Sequence, residues 1–103
     1  MQTTVEQNKM DNAAVKNAAN ILRSINHKLR QQILKLLVEN KRMNVTDIYV
    51  RLRLEQSVAS QHLAILRRAN IVSTERSGKE VFYTLNAAQI EKVGLFAKNI
   101  SFE

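Results

Sequence analysis

The 103-residue sequence contains no cysteine and no proline, and its only glycines are Gly78 and Gly94. The lack of cysteine excludes disulfides, thiolate metal sites, redox sensing and cysteine nucleophiles. With so few residues that interrupt helices, the chain is expected to be mostly helical. The sequence also lacks an apolar run near the roughly 18 residues of a membrane span. Its polar N-terminus does not resemble a secretory signal, so we expect a cytoplasmic protein without membrane contacts.

Positive charge is concentrated in the middle of the chain. The formal net charge is +7, and residues 23–80 hold twelve Lys or Arg against five Asp or Glu, which accounts for the whole surplus. Such a field attracts polyanions, of which nucleic acid is the first candidate and an acidic membrane the second. The charge would also serve solubility alone, so charge by itself leaves both interpretations open. With 45% hydrophobic residues, one folded domain is expected at residues 11–103, after a flexible tail at residues 1–10.

Apolar residues recur at helical spacing in five segments. The expected helices cover about residues 12–24, 27–40, 45–52, 56–69 and 87–100. Asn26 and Asn44 are the expected N-caps of the second and third helices, and Asp47 supplies an acid to the first turn of the third. Residues 41–43 are expected to be a simple connection.

The pattern changes between the fourth and fifth helices. Residues 71–76 and 79–85 are rich in β-branched and aromatic side chains, and Ser77-Gly78 separates them. Two such segments around a short loop ending in glycine predict a β-hairpin. The expected fold is therefore mainly α with a small β-hairpin, in the order α-α-α-α-β-β-α of a winged helix-turn-helix.

The fourth helix has the pattern of a DNA-reading helix. Ala59, Leu63 and Leu66 are expected to face the core, and no acid occurs from Gln56 to Arg68. Short or flexible polar side chains on the opposite side can read base edges in the major groove. Gln56, Ser60 and Gln61 are the candidates for base contacts, Ser57 for a base or phosphate contact, and Arg67 and Arg68 for phosphates or acidic neighbours. His62, at the edge of the buried face, is expected to be structural or to contact a phosphate.

The tip of the hairpin carries two cations beside the tight turn. Arg76, Ser77, Gly78 and Lys79 form this tip. A wing uses such cations to contact a backbone phosphate or to enter the minor groove. A charged loop that keeps an edge hairpin soluble is the alternative. Glu75 and Glu80 flank the tip and would reduce its charge.

From about Leu22 to Asn86 the chain resembles the ArsR/SmtB family of bacterial winged-helix repressors. The similar segments are HKLRQQILKLL at 27–37, SVASQHLAILRRANIV at 57–72 and RSGKEVFYTL at 76–85. The resemblance implies a homodimer whose first and last helices pack at a two-fold axis. It also implies that two recognition helices bind a near-palindromic operator in double-stranded DNA, and that an inducer releases it. Sequence-specific transcriptional repression is thus the expected function, and an enzyme is not expected.

The chain departs from the family pattern at three places. His27-Lys28 replaces a frequent Asp-Pro pair, and Arg53-Leu54-Glu55 replaces a frequent Gly-Leu-Ser. Arg53 thereby occupies a turn position that glycine takes easily, and Glu55 is a weaker cap than serine. The third helix has no thiol and the last has no histidine, so neither of the family's metal-ligand sets is present and no cofactor is expected. An inducer, if there is one, stays unidentified.

Apolar residues on the two terminal helices supply the expected dimer interface. They are Val15, Ala18 and Leu22 on the first helix, and Ile90, Val93, Phe96, Ala97 and Ile100 on the last. In a monomer the same residues could pack on each other and on the core. Two other functions stay open: nucleic-acid binding without sequence preference, architectural or on RNA, and a protein-interaction adaptor whose terminal helices bind another chain.

Overall fold

The computed structural model describes the backbone of residues 2–94 and the side chains of residues 13 and 15–91. In chain order, the described elements are α1 (Gln2–Ile25), α2 (Lys28–Asn40), β1 (Arg42–Asn44), α3 (Val45–Leu52), α4 (Gln56–Arg68), β2 (Val72–Ser77), β3 (Glu80–Leu85) and α5 (Ala87–Gly94). No helix among the described residues is long and apolar enough to cross a membrane. The structure starts α1 at Gln2, where a flexible tail was expected, because no proline or glycine interrupts the helix there.

The sheet contains a strand that the sequence pattern did not predict. β1 pairs antiparallel with β3, in the sheet order β1-β3-β2, with Met43 opposite Tyr83. Residues 41–43 were expected to be a connection, and that expectation was wrong for Arg42 and Met43. Three residues are too few to show a period of two, so this strand is defined by its partner rather than by its own pattern.

The hairpin is confirmed, with its turn shifted by one residue. β2 and β3 pair from Val72 opposite Leu85 to Ser77 opposite Glu80, which makes Gly78-Lys79 the two-residue turn rather than Ser77-Gly78. Gly78 has a φ of 63° at the first central position. A type II′ hairpin turn requires a positive φ there, and glycine adopts it without strain.

One hydrophobic core joins the helices to the sheet. The largest fully buried side chains are Ile21, Ile25, Ile33, Leu37, Ile48, Leu63, Leu66, Ile71 and Val72. The predicted inner side of the fourth helix is confirmed, since Ala59, Leu63 and Leu66 are each 0% exposed. On α1 the buried face contains Ala18, Ile21 and Ile25, whereas Val15, predicted to lie at the dimer interface, is 52% exposed in the single chain.

The helix starts agree with the sequence at one position and differ at another. Asn44 caps α3 as predicted, because its side-chain oxygen accepts a hydrogen bond from the Asp47 amide at 2.8 Å. The predicted Asn26 cap of α2 was wrong: the Nδ1 atom of His27 accepts from the Leu29 amide at 3.1 Å. Asn26 instead closes α1, since its amide donates to the carbonyl of Leu22 at 2.7 Å.

Candidate nucleic-acid interface

The turn between α3 and α4 sets the position of the candidate recognition helix. Arg53 has φ 55° and ψ 42°, the left-handed conformation, and its amide donates to the last turn of α3. The Leu54 amide donates to the Tyr49 carbonyl at 2.9 Å, which closes the helix end. Arg53 thus has a backbone conformation that glycine takes easily, and Glu55, predicted to be a weak cap, makes no side-chain capping hydrogen bond.

The exposed side of α4 carries polar and basic residues, apart from Ala64, and no acid. We call this set the α4 outer face: Gln56, Ser57, Ser60, Gln61, Ala64, Arg67 and Arg68 are all exposed. Among the hydrogen bonds of the described residues, this face contributes one side-chain bond, from the Arg68 Nε to the Ala64 carbonyl at 3.4 Å. Its other donors and acceptors are therefore available to an external partner. Amide, hydroxyl and guanidinium groups on a helix are those that hydrogen-bond base edges and phosphates.

His62 lies at the inner edge of α4 and contacts the beginning of α2. Its Nδ1 atom accepts a hydrogen bond from the Nε of Arg30 at 3.3 Å. The rings of His27 and His62 have their centroids 4.6 Å apart and are tilted by 52°. Burial lowers the pKa of His62 below its usual value, and the nearby His27 and Arg30 lower it further. The structural role expected for His62 thus has a defined partner.

Sequence spacing did not indicate the contact between the two histidines. The sequence placed them in separate elements, and Arg30 and His62 are 32 positions apart. Packing of α4 on the α1–α2 corner brings them together, so only the tertiary fold shows the cluster. No local motif could have identified Arg30 as a partner of the recognition helix.

The wing, which is the β2–β3 hairpin, presents its four predicted residues to solvent. Arg76, Ser77, Gly78 and Lys79 are all exposed at the tip. A Cβ added to Gly78 would meet nothing within 4 Å, so glycine is needed there for its backbone conformation and not for space. α4 packs directly against β2, so the wing follows the recognition helix closely both in the chain and in space.

The two acids beside the tip have partners in β1. Glu75 pairs with Arg42 at 3.8 Å, and the Arg42 guanidinium lies 4.0 Å from the centre of the Phe82 ring. Asn44 donates to the Glu80 carboxylate at 3.5 Å. These contacts partly balance the two carboxylates away from the tip, which leaves Arg76 and Lys79 as its outward cations. The sequence pattern did not predict that β1 holds the two acids, because it did not predict the strand.

The predicted dimer residues divide into four groups. Val15 is exposed, while Leu22 and Ile90 are half-buried against the chain's own core. Ala18 is 7% exposed in the single chain, so most of its surface is already covered within its own fold. The Val93 side chain, and Phe96, Ala97 and Ile100 entirely, lie outside the described residues. Residues 15–91 contain no group of three His, Cys, Asp or Glu side chains that could hold a metal ion.

Sequence comparison places residues 27–74 in a known family. This segment matches the family model described as bacterial regulatory protein, arsR family. The transcriptional repressor PagR of Bacillus anthracis is 31% identical over 91 residues, which cover 88% of this chain and 91% of PagR. The transcriptional activator HlyU of Vibrio cholerae is 39% identical over 71 residues, which cover 69% of this chain and 65% of HlyU.

Solved structures agree with the sequence matches. The crystal structure of PagR superposes with a TM-score of 0.69 at 30% identity, covering 81% of this chain and 97% of PagR. NolR from Sinorhizobium fredii superposes with a TM-score of 0.70 at 30% identity, covering 88% of this chain and 89% of NolR. These likenesses confirm the predicted winged helix-turn-helix fold. The chain belongs to the ArsR family of bacterial regulatory proteins and is a DNA-binding transcriptional regulator rather than an enzyme.

Proposed function

We propose that this regulator is a sequence-specific repressor that binds a near-palindromic operator as a homodimer. The single observation that carries the proposal is the α4 outer face, which is exposed, free of acids and almost without internal hydrogen bonds. The opposite side of the helix is buried at Ala59, Leu63 and Leu66. A helix that is anchored on one side and polar on the other is suited to contact a polar partner. Double-stranded DNA fits its donors, acceptors and charge.

Base contacts and phosphate contacts fall to different residues in this proposal. Gln56, Ser60 and Gln61 read base edges, since amides and hydroxyls both donate and accept hydrogen bonds. Ser57 contacts a base or a phosphate. The cations Arg67 and Arg68 on α4 and Arg76 and Lys79 on the wing neutralise phosphates, with Ser77 and Gly78 shaping the approach of the tip.

Dimerisation through α1 and α5 would supply the second reading helix. Val15 is a large apolar side chain with 52% of its surface exposed, on the helix that packs against α5 within the chain. Burial of this residue in a partner, together with Leu22 and Ile90, would remove apolar surface from water. A two-fold dimer places two α4 helices about 34 Å apart, which corresponds to successive turns of one duplex face.

The residues that bind metal in this family are missing from α3 and α5. α3 carries no thiol, and α5 carries Glu91 without a histidine beside it. A borderline transition metal requires three or four ligands of these types. We therefore propose that DNA release is regulated by a signal other than a metal ion bound at either of the family's two metal sites.

Selection of duplexes from a randomised library by the full-length protein tests sequence specificity. We expect a near-palindromic sequence that outcompetes random duplex and binds less tightly as salt rises. Gln61→Ala should reduce the preference for the selected duplex by about 1–3 kcal/mol, since one base contact is lost. Lys79→Ala, the matched control, should weaken all duplexes equally and reduce the salt slope by about 1.

Two results would contradict the proposal. Equal binding to selected and random duplexes would leave a nucleic-acid-binding protein without sequence preference, the function that the charge of residues 23–80 alone would support. A stable monomer in sedimentation experiments would remove the two-fold dimer and favour an adaptor. If Gln61→Ala lowered all affinities equally while Lys79→Ala changed only the preference, the assigned roles of α4 and the wing would be reversed.

A further inference from the structure

Three side chains join α4 to the corner between α1 and α2. We call His27, Arg30 and His62 the histidine cluster. Arg30 donates through Nη1 to the carbonyl of Ser24 at 3.0 Å and to that of Arg23 at 3.4 Å, and through Nε to His62 at 3.3 Å. One guanidinium thus ties the end of α1 to the middle of α4. This connection runs from the terminal helix to the helix that reads DNA.

Both histidines accept hydrogen bonds with Nδ1. His62 accepts from Arg30, and His27 accepts from the Leu29 amide that it caps. An imidazole accepts through a ring nitrogen only while that nitrogen carries no proton, so both contacts assign the neutral form with the proton on Nε2. Protonation of Nδ1 would turn each acceptor into a donor that faces another donor.

The surroundings of His62 contain cations and no compensating acid. The charges that act on it are those of His27 and Arg30. From α1 the cluster is contacted by the carbonyl oxygens of Ser24 and Arg23, and no group on α3 or β2 is among the causes that lower the pKa of His62. In residues 15–91 the single ion pair is Arg42–Glu75, away from the cluster. A proton on His62 would therefore place a second positive charge beside the Arg30 guanidinium.

We propose that the histidine cluster is a proton-sensitive lock on α4, holding it against the α1–α2 corner while the Nδ1 atom of His62 accepts from Arg30 and loosening it, with weaker DNA binding, when that atom is protonated. The inference rests on the proposed role of α4 as the reading helix. It deepens that role by assigning a regulatory contact to the inner edge of the helix, opposite the α4 outer face. Arg30 is the positioning residue in this proposal, since it acts on α4 through its hydrogen bond to His62.

The direction of the predicted effect separates this lock from simple electrostatics. Extra positive charge on a DNA-binding protein strengthens its contact with phosphates. Protonation of two histidines should by that effect alone raise affinity at low pH. The lock predicts a fall, because the loss of the Arg30–His62 hydrogen bond and the added repulsion displace the reading helix.

DNA affinity measured at about pH 7.5 and about pH 5.5, at constant ionic strength, tests the lock, since histidine titrates between these values. The probe is the duplex selected by the protein at the higher pH. We expect affinity to fall roughly fivefold at the lower pH, the effect of one net hydrogen bond. Gln61→Ala is the matched control on the same helix: it should lower affinity at both pH values and leave their ratio unchanged.

Variants of the cluster assign the effect to its members. His27→Ser keeps a capping oxygen and removes the ring beside His62, so it should bind as the wild type does at the higher pH. His62→Gln keeps an acceptor for Arg30, so the ratio of its DNA affinities at the two pH values should approach one. Arg30→Met should bind at about pH 7.5 as weakly as the wild type does at about pH 5.5.

A measurement without DNA keeps the lock testable on its own. In NMR spectra of the free protein, the α4 amide signals should shift with the same midpoint as the His62 ring, and His62→Gln should abolish that shift. Unchanged or rising affinity at low pH, or a pH ratio that persists in His62→Gln, would overturn the lock. Failure to bind any duplex at about pH 7.5 would overturn the reading role of α4, while the α4 signals would still decide the lock.

Discussion

Replacement of Arg53 by glycine should stabilise the protein. Arg53 has a φ of 55° and a ψ of 42° at the end of α3, a conformation that crowds the Cβ of any L-residue. This conformation costs about 1–2 kcal/mol for a residue other than glycine. Removing that cost with glycine is offset by about 0.5–1 kcal/mol, because glycine makes the unfolded chain more flexible. The expected net gain in free energy of unfolding is about 0.5–1 kcal/mol.

The comparison variant for this prediction is Arg53→Ala. The Arg53 side chain is exposed and makes no side-chain hydrogen bond or ion pair within the described residues. Its removal alone should therefore change stability by less than about 0.5 kcal/mol. Since alanine keeps the Cβ and glycine lacks it, the difference in unfolding free energy between Arg53→Gly and Arg53→Ala measures the relieved backbone strain minus the flexibility that glycine adds to the unfolded chain.

Thermal and urea unfolding followed by circular dichroism measure the difference, at one fixed protein concentration because a dimer would make stability depend on it. For a domain near 100 residues, the gain corresponds to an increase in Tm of about 2–8 °C. If Arg53→Gly were no more stable than Arg53→Ala, the left-handed conformation would not be a strained one. The turn between α3 and α4 would then owe its geometry to packing alone.

Three further substitutions test other parts of the structure. Gly78→Ala should cost about 1 kcal/mol in thermal unfolding, because φ is 63° although the added Cβ meets open space; no loss would mean that the turn relaxes. Val15→Glu should raise the dimer dissociation constant in sedimentation experiments and weaken DNA binding with it; a change in solubility alone would exclude α1 from the interface. The lowered pKa of His62 means that the folded protein binds its proton less readily than the unfolded chain, so stability should be full above about pH 6.5 and fall as pH decreases from there. His62→Gln should flatten that slope in urea unfolding across the same pH range, and an unchanged slope would assign it to another group.

Local patterns predicted the parts of this fold that local physics determines. The buried stripe of α4, with Ala59, Leu63 and Leu66 each 0% exposed, follows from a helical period that tertiary packing did not have to override. The Asn44 cap and the strained Arg53 likewise depend on neighbours a few positions away. Resemblance to a family added the order of the elements, which periodicity alone would not have assembled.

Long-range contacts account for what the pattern did not show. β1 exists because residues 42–44 meet β3 across 38 or more positions of chain, and a three-residue strand has no signature of its own. The pairing of Arg42 with Glu75 and the contact of Arg30 with His62 belong to the same class. The candidate site was therefore predictable as a helix face and a hairpin tip, while the contacts that position both were not.

The departures from the family pattern at Arg53 and at His27 have different physical consequences. At Arg53 the cost is fixed, since the strained backbone angle does not respond to pH, salt or a ligand. At His27 the departure is conditional: an aspartate at a helix N-cap accepts hydrogen bonds across the whole neutral range, whereas an imidazole accepts only while its Nδ1 is unprotonated. His27 also lies 4.6 Å from the ring of His62, centroid to centroid, so the replacement of the usual cap places a second imidazole beside the recognition helix. The residue that removes the family's usual helix-start signal is thus also the one that packs on the histidine contacted by Arg30.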